Sequence, residues 1–172
     1  SIDSYKHQRE VVEGLFLLYD RYKIDFKLNL IGPICYEKYY RKLKKLIIDR
    51  NLNKKIIIYK ELKPHEIIKI YKKSHCAIFA SSCENLPLIL VEALNMRIPI
   101  ICSDRRPMTD IFFQNGLHFD PLNPSSICET IYRFYINYQN NIQKIKLHND
   151  INFSWNDCSK STLEFFKKVI IN

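Results

Sequence analysis

Residues 76–102 read CAIFASSCENLPLILVEALNMRIPIIC, and changes of pattern within them decide the fold. Cys76 to Phe79 is short and wholly apolar, as expected of an internal parallel strand covered on both faces. Pro87 to Met96 predicts a helix, and Ile98 to Cys102 a second apolar strand. Ser81 and Glu84 have the spacing of a capping box, but a helix begun at Ser81 would place Pro87 in its interior. There the ring clashes with a preceding carbonyl and forfeits a hydrogen bond, at about 3 kcal/mol. A helix opened by Pro87 avoids that, and Glu84 is left in the loop before it.

Outward from this unit the periodicity keeps alternating. Upstream, His7 to Arg21 has apolar residues at 11, 12, 15, 18 and 19 and predicts an amphipathic helix. Phe26 to Ile31 reads as a strand stopped by Gly32-Pro33. Glu37 to Asp49 predicts a helix with a stripe of Tyr39, Tyr40, Leu43, Leu46 and Ile47, and Lys55 to Tyr59 a β-branched strand. Pro64 opens a helix running to about Lys73, since the first turn has no use for the missing N–H. Downstream, Leu117 to Phe119 is a minimal strand and Pro124 to Tyr138 a helix. A terminal helix over 153–172 begins near Trp155. Strands separated by short helices imply an α/β domain, a parallel sheet with helices on both faces. Such sheets bind ligands beyond the carboxyl ends of their strands, here the loops at Gly32-Pro33, Tyr59 to Pro64, Ala80 to Leu86 and Ser103 to Met108. The chain starts almost directly in a helix, so a first strand is expected upstream of residue 1.

The length of 172 residues and 47% hydrophobic content suit one domain with a sizeable core. No run approaches the roughly 18 to 20 apolar residues of a membrane span, and no signal-peptide pattern opens the chain, so a soluble domain is expected. The cysteines Cys35, Cys76, Cys83, Cys102, Cys128 and Cys158 include no CxxC, and most lie in apolar runs. Buried, reduced thiols in a cytoplasmic setting fit that pattern. The net charge of +9 is regional: Glu37 to Lys73 holds 13 Lys or Arg against 4 Asp or Glu. That segment is either a solvated helix face or a surface for an anionic membrane at the inner leaflet. Nucleic acid is not expected, because Tyr36, Tyr39 and Tyr40 form one cluster instead of interleaving with the basic residues. The histidines show no metal-site spacing, and no metal is expected.

Glu92 lies among Leu88, Val91, Ala93 and Leu94, so it is expected to be buried against the sheet, paired or hydrogen-bonded. A helical path of eight residues from Glu84 spans at most roughly 12 Å. That is long for a hydrolytic carboxylate pair, which stands about 5 to 9.5 Å apart. It suits two carboxylates gripping an extended ligand, with a phosphate between them at the helix N-terminus. Ordinary polar anchoring is the alternative for both. From sequence alone Lys6 is a solvated lysine.

The run Glu84-Asn85-Leu86-Pro87-Leu88-Ile89-Leu90-Val91-Glu92 resembles the Glu-x7-Glu mark of retaining glycosyltransferases of family 4. Agreement continues through Ser103 to Met108, Phe119-Asp120-Pro121 and Phe153-Ser154-Trp155. The resemblance implies a Rossmann-like three-layer domain, the C-terminal, donor-binding half of a GT-B architecture, with the N-terminal acceptor domain absent. It implies that Glu92 holds the ribose and Glu84 contacts the transferred sugar. Lys6 would bind the diphosphate, making Glu84 and Lys6 the catalytic pair. Asn85, Leu86, Leu88 and Ser81 complete the implied nucleotide-sugar contacts. The substrate would be a UDP- or GDP-linked hexose passed to a glycan or lipid-linked acceptor without a metal or other cofactor, and the isolated domain would be inactive. The chain departs from the family at Asn85, Pro87, Arg97 and Asp110. A left-handed backbone at Arg97 would cost roughly 1 to 2 kcal/mol. The same architecture serves epimerases and phosphorylases, and a further alternative is an inactive domain binding a protein partner or an anionic membrane.

Overall fold

A computed structural model of the chain describes residues 1–112, 116–139 and 154–170. After a 3-10 turn over Ser4–Lys6, the order is α1 (Gln8–Tyr22), β1 (Leu28–Ile31), α2 (Glu37–Asp49), β2 (Ile56–Tyr59), α3 (Pro64–Tyr71) and β3 (Ala77–Phe79). It continues with α4 (Leu88–Asn95), β4 (Ile100–Ser103), α5 (Met108–Phe112), β5 (Gly116–Phe119), α6 (Pro124–Ile136) and α7 (Trp155–Ile170).

All strand pairings are parallel, as expected of strands joined through helices. They form two groups: β1 with β2, and β3, β4 and β5 side by side with β4 central. Ile101 stands opposite both Ile78 and Leu117, while Leu30 stands opposite Ile58. Beyond β1, Ile2 makes a parallel bridge to Ile34, its amide donating to Pro33 O at 2.7 Å.

The period of two along each strand separates the layers. On one face of the three-stranded group, Ile78, Ile101, Leu117 and Phe119 pack with Val11, Leu15 and Leu18 of α1 and Ile127, Ile131 and Phe134 of α6. On the other face Phe79, Ile100 and Cys102 meet Leu90 and Ala93 of α4 and Met108 of α5. A separate cluster joins Leu30 and Ile56 of the β1–β2 pair to Val12 of α1 and to Tyr39, Leu43 and Ile47 of α2. Helix α1 can lie this close to α6 because Gly14 has no side chain: a Cβ there would stand 2.8 Å from Ile127 Cγ2.

The predicted helices and strands fall where periodicity places them, with three informative differences. The strand covered on both faces is β4, buried along its whole length, whereas β3 at the edge of its group is only partly covered. The 3-10 turn and α5 are too short to announce themselves by periodicity. Of the cysteines, only Cys102 and Cys128 are buried, Cys76 is half-buried, and Cys35, Cys83 and Cys158 are exposed; all six are free thiols. Burial pushes the Cys76 and Cys102 thiols up to about 12, so these two behave as small hydrophobes.

Two aromatic residues of α6 serve packing: Tyr132 stacks on Tyr22 at 4.0 Å and Phe134 is buried. Trp155 is 75% exposed, and every residue of α7 is exposed. Phe153 of the Phe-Ser-Trp motif lies outside the described residues.

Candidate functional site

The carboxyl ends of β3, β4 and β5 and the turn before α1 meet at one rim. The loop leaving β3 is tied to the 3-10 turn by the amide of Ser82, which donates to Tyr5 O at 2.9 Å. Beside that bond, His7 Nε2 lies 2.8 Å from the Ser82 hydroxyl. His7 is itself in the left-handed region, with φ 49° and ψ 34°, between the turn and α1. For a residue other than glycine that conformation is unfavourable, and the contacts around the turn hold it. Burial lowers the pKa of His7 against the raising effect of Glu10, so the ring is neutral near pH 7. Its Nδ1 faces Glu10 Oε2 at 3.8 Å. The Ser82 hydroxyl that meets Nε2 also donates to Tyr5 O at 3.4 Å, so both contacts fasten the loop to the turn.

This latch brings together two residues 78 positions apart. Lys6 Nζ forms an ion pair and hydrogen bond with Glu84 Oε1, the two side chains being only 14% and 15% exposed. The ammonium also lies over the Phe79 ring, 4.9 Å from its centroid, an arrangement that favours a cation. Lys6 is therefore not the solvated lysine that the sequence alone suggests. Glu84, excluded from the helix by Pro87, has its partner.

Ser81 is fully buried beneath the loop. Its hydroxyl is engaged with the Cys83 backbone, and its carbonyl accepts from Ser103 Oγ at 2.6 Å. Ser81 thus anchors the loop from below. Arg105, just after β4, bridges Asp104 at 2.8 Å and Asp120, at the end of β5, at 2.9 Å, and the charges of Arg105 and Asp120 act on His7. The bridge ties the loops after β4 and β5 to the same rim.

The start of α4 differs from the expectation by one residue, with a chemical consequence. Pro87 is the N-cap and not the first helical residue; its φ of −79° and ψ of 74° make it the centre of an inverse γ-turn. The turn is closed by the Leu88 amide donating to Leu86 O at 2.9 Å. The Leu88 N–H is thus engaged within the turn. The amides of Glu84, Asn85, Leu86 and Ile89 have no acceptor among the described residues and are the four donors available here. Ile89 was not among the sequence candidates, because only the γ-turn moves the free amide one residue along.

Glu92 is exposed, not buried, and it has no hydrogen-bond or ion-pair partner among the described residues. Helix α4 buries Leu90 and Ala93, so the opposite face carries Leu88, Glu92 and Asn95 outward. Asp110 is bound to Arg106 at 3.5 Å on the surface. Arg97 does adopt the left-handed backbone, φ 56°. It closes α4 in a Schellman motif, with Ile98 N donating to Ala93 O at 3.0 Å and Arg97 N to Leu94 O at 2.7 Å. Among the described residues, no three His, Cys, Asp or Glu side chains cluster as metal ligands do.

The family described as Glycosyl transferases group 1 matches residues 1–155. The chain belongs to that family. Among curated relatives, the serotype-specific mannosyltransferase WbdA of Escherichia coli is 28% identical over 90 residues, which are 52% of this chain and 11% of that protein. The chain thus spans about a tenth of the length of the curated relatives it matches. A glycosyltransferase from Rickettsia africae ESF-5 superposes with a TM-score of 0.81 at 23% identity, over 99% of this chain and 46% of that one. Anabaena Alr3699/HepE, solved in complex with UDP and glucose, superposes with a TM-score of 0.84 at 14% identity, over 98% and 47%. These likenesses establish the fold: a Rossmann-like α/β domain of GT-B type, within the glycosyltransferase family.

Proposed function

We propose that this chain is the C-terminal, donor-binding domain of a retaining family 4 glycosyltransferase, which holds a nucleoside diphosphate hexose while a facing domain presents the acceptor hydroxyl. The observation that carries this reading is the Lys6–Glu84 ion pair, set beside unpaired amides at the start of α4. A diphosphate placed there meets a cation and the positive end of a helix, the charge distribution needed to stabilise a departing phosphate. Glu84 accepts from sugar hydroxyls on one side, and the outward Glu92 accepts from ribose hydroxyls on the other. Asn85, Leu86 and Ile89 contribute amides, while Leu88 flanks the ligand with its side chain. The acceptor site belongs to the N-terminal domain outside residues 1–172, and the work is done at the cytoplasmic side of a membrane.

Titration of the chain with UDP, GDP and their hexose conjugates, followed by NMR, tests the reading. Saturable shifts at Glu84 to Ile89 and around Lys6, lost in Glu92→Ala, are expected and would also name the nucleotide. Silence at millimolar ligand in both the chain and the intact protein would overturn it.

A further inference from the structure

Between Glu37 and Lys73 the chain carries 13 Lys or Arg, and the structure shows how few of these are neutralised. Arg41 pairs with Glu37, Arg50 with Glu13 and Lys55 with Asp25. The other ten, all lysines, have no ion-pair partner among the described residues. Glu66 is also committed, accepting from the Lys63 amide at 2.8 Å, so Asp49 and Glu61 are the only uncommitted acids of the segment. Helix α2 turns Tyr39, Leu43 and Ile47 into the core, which places Arg41, Lys44 and Lys45 together on the outer face. Ile48, one turn beyond Lys44 and Lys45 on the same outer face, is 55% exposed. A second element joins the face: Lys60, just after β2, and Lys44 both hold their ammonium groups over the Tyr40 ring, at 5.6 and 5.7 Å from its centroid.

We infer that this face docks on the anionic surface of a lipid bilayer, with Ile48 entering the headgroup layer beside Lys44 and Lys45. Charge complementarity selects the occupant. A basic face with an exposed aliphatic residue beside its lysines matches a layer of phosphate headgroups over hydrocarbon, and it lacks the stacked aromatic platforms a nucleic-acid strand would need. No described helix is long and apolar enough to cross a membrane.

The test is sedimentation of the full chain with vesicles of phosphatidylcholine alone or mixed with phosphatidylserine. Binding only to the mixed vesicles, weakening as salt is raised, is expected. The triple variant Lys44→Glu, Lys45→Glu and Lys60→Glu should lower partitioning by about 100-fold, from roughly fivefold per lysine lost. A control with the same net charge, Lys27→Glu, Lys160→Glu and Lys167→Glu, should stay within about threefold of the parent. Equal losses in both variants, or binding to RNA but not to vesicles, would overturn the inference. An independent reading uses Ile48→Trp in a Trp155→Phe background, whose fluorescence brominated lipids should quench. Emission from that single indole that stays unquenched on bound protein also overturns it.

Discussion

His7 Nε2 and the Ser82 hydroxyl, 75 positions apart in the chain, lie 2.8 Å from one another and fasten the turn bearing Lys6 to the loop bearing Glu84. Neither residue needs to touch a ligand for this bond to matter. It fixes the turn and the loop, whose side chains meet, relative to one another.

Loss of the latch should therefore show in both stability and binding. Ser82→Ala deletes one part-buried hydrogen bond, about 1 kcal/mol on ordinary precedent. His7→Ala also removes the ring that fills the space and is expected to cost more. In both, donor affinity should fall although Lys6 and Glu84 remain. Chemical denaturation alongside the nucleotide titration checks this, and unchanged affinity would mean that the two segments are held elsewhere.

The same imidazole predicts acid sensitivity. Its pKa is lowered in the folded chain relative to its ordinary 6.5 because burial disfavours the charged ring. The unfolded chain then binds the proton more readily, so this contribution to stability is fully present above about pH 6.5 and is lost as the pH falls toward the folded value. Denaturation midpoints measured across this interval should drop toward acid, and the drop should shrink in His7→Gln.

Arg97→Gly should stabilise the domain. The left-handed conformation that arginine adopts there is free of steric cost for glycine, and the Schellman bonds are backbone bonds that remain. A gain of about 1 kcal/mol is expected, against a loss of freedom in the unfolded state that offsets part of it. A thermal melt raised by about 2 to 4 °C would agree.

Gly14→Ala should do the reverse of what helix propensity suggests. Alanine in the middle of α1 is worth up to about 1 kcal/mol, but its methyl would collide with Ile127 and with Pro124 O at 3.0 Å. Separating α1 from α6 costs about 1 to 3 kcal/mol, so a net loss is expected in equilibrium unfolding.

Glu92→Ala separates binding from folding. The carboxylate is exposed and unpartnered among the described residues, so stability should change by less than about 0.5 kcal/mol while donor affinity falls. An equal loss of stability would show that the residue is a structural anchor instead.

The elements were legible because the signals that place them are local. The stripe on α2, the stop at Gly32-Pro33 and the proline that opens α3 all act within a few residues. The exclusion of Glu84 from the helix was legible for the same reason, since Pro87 forbids a longer one. What failed was inference from neighbours to burial. Glu92 stands among leucines, yet Leu88 is 47% exposed and lies on the same outer face, so apolar company did not mean a core position. The Lys6–Glu84 and His7–Ser82 contacts span most of the sheet in sequence, and no local pattern records them. The γ-turn at Pro87, which withdraws the Leu88 amide, depends on a ψ angle that residue identity does not fix.

The Lys6–Glu84 pair is neutral as it stands, which has a consequence for selectivity. An incoming diphosphate that draws Lys6 away strands a carboxylate only 15% exposed, where an unpaired anion is costly. On the proposed reading, a nucleotide bearing a sugar repairs that deficit, because its hydroxyls donate to Glu84 while its phosphates take Lys6. A bare nucleoside diphosphate cannot. The two halves of the donor would then be recognised jointly, and the loaded conjugate would outcompete the spent nucleotide that shares its phosphates and base.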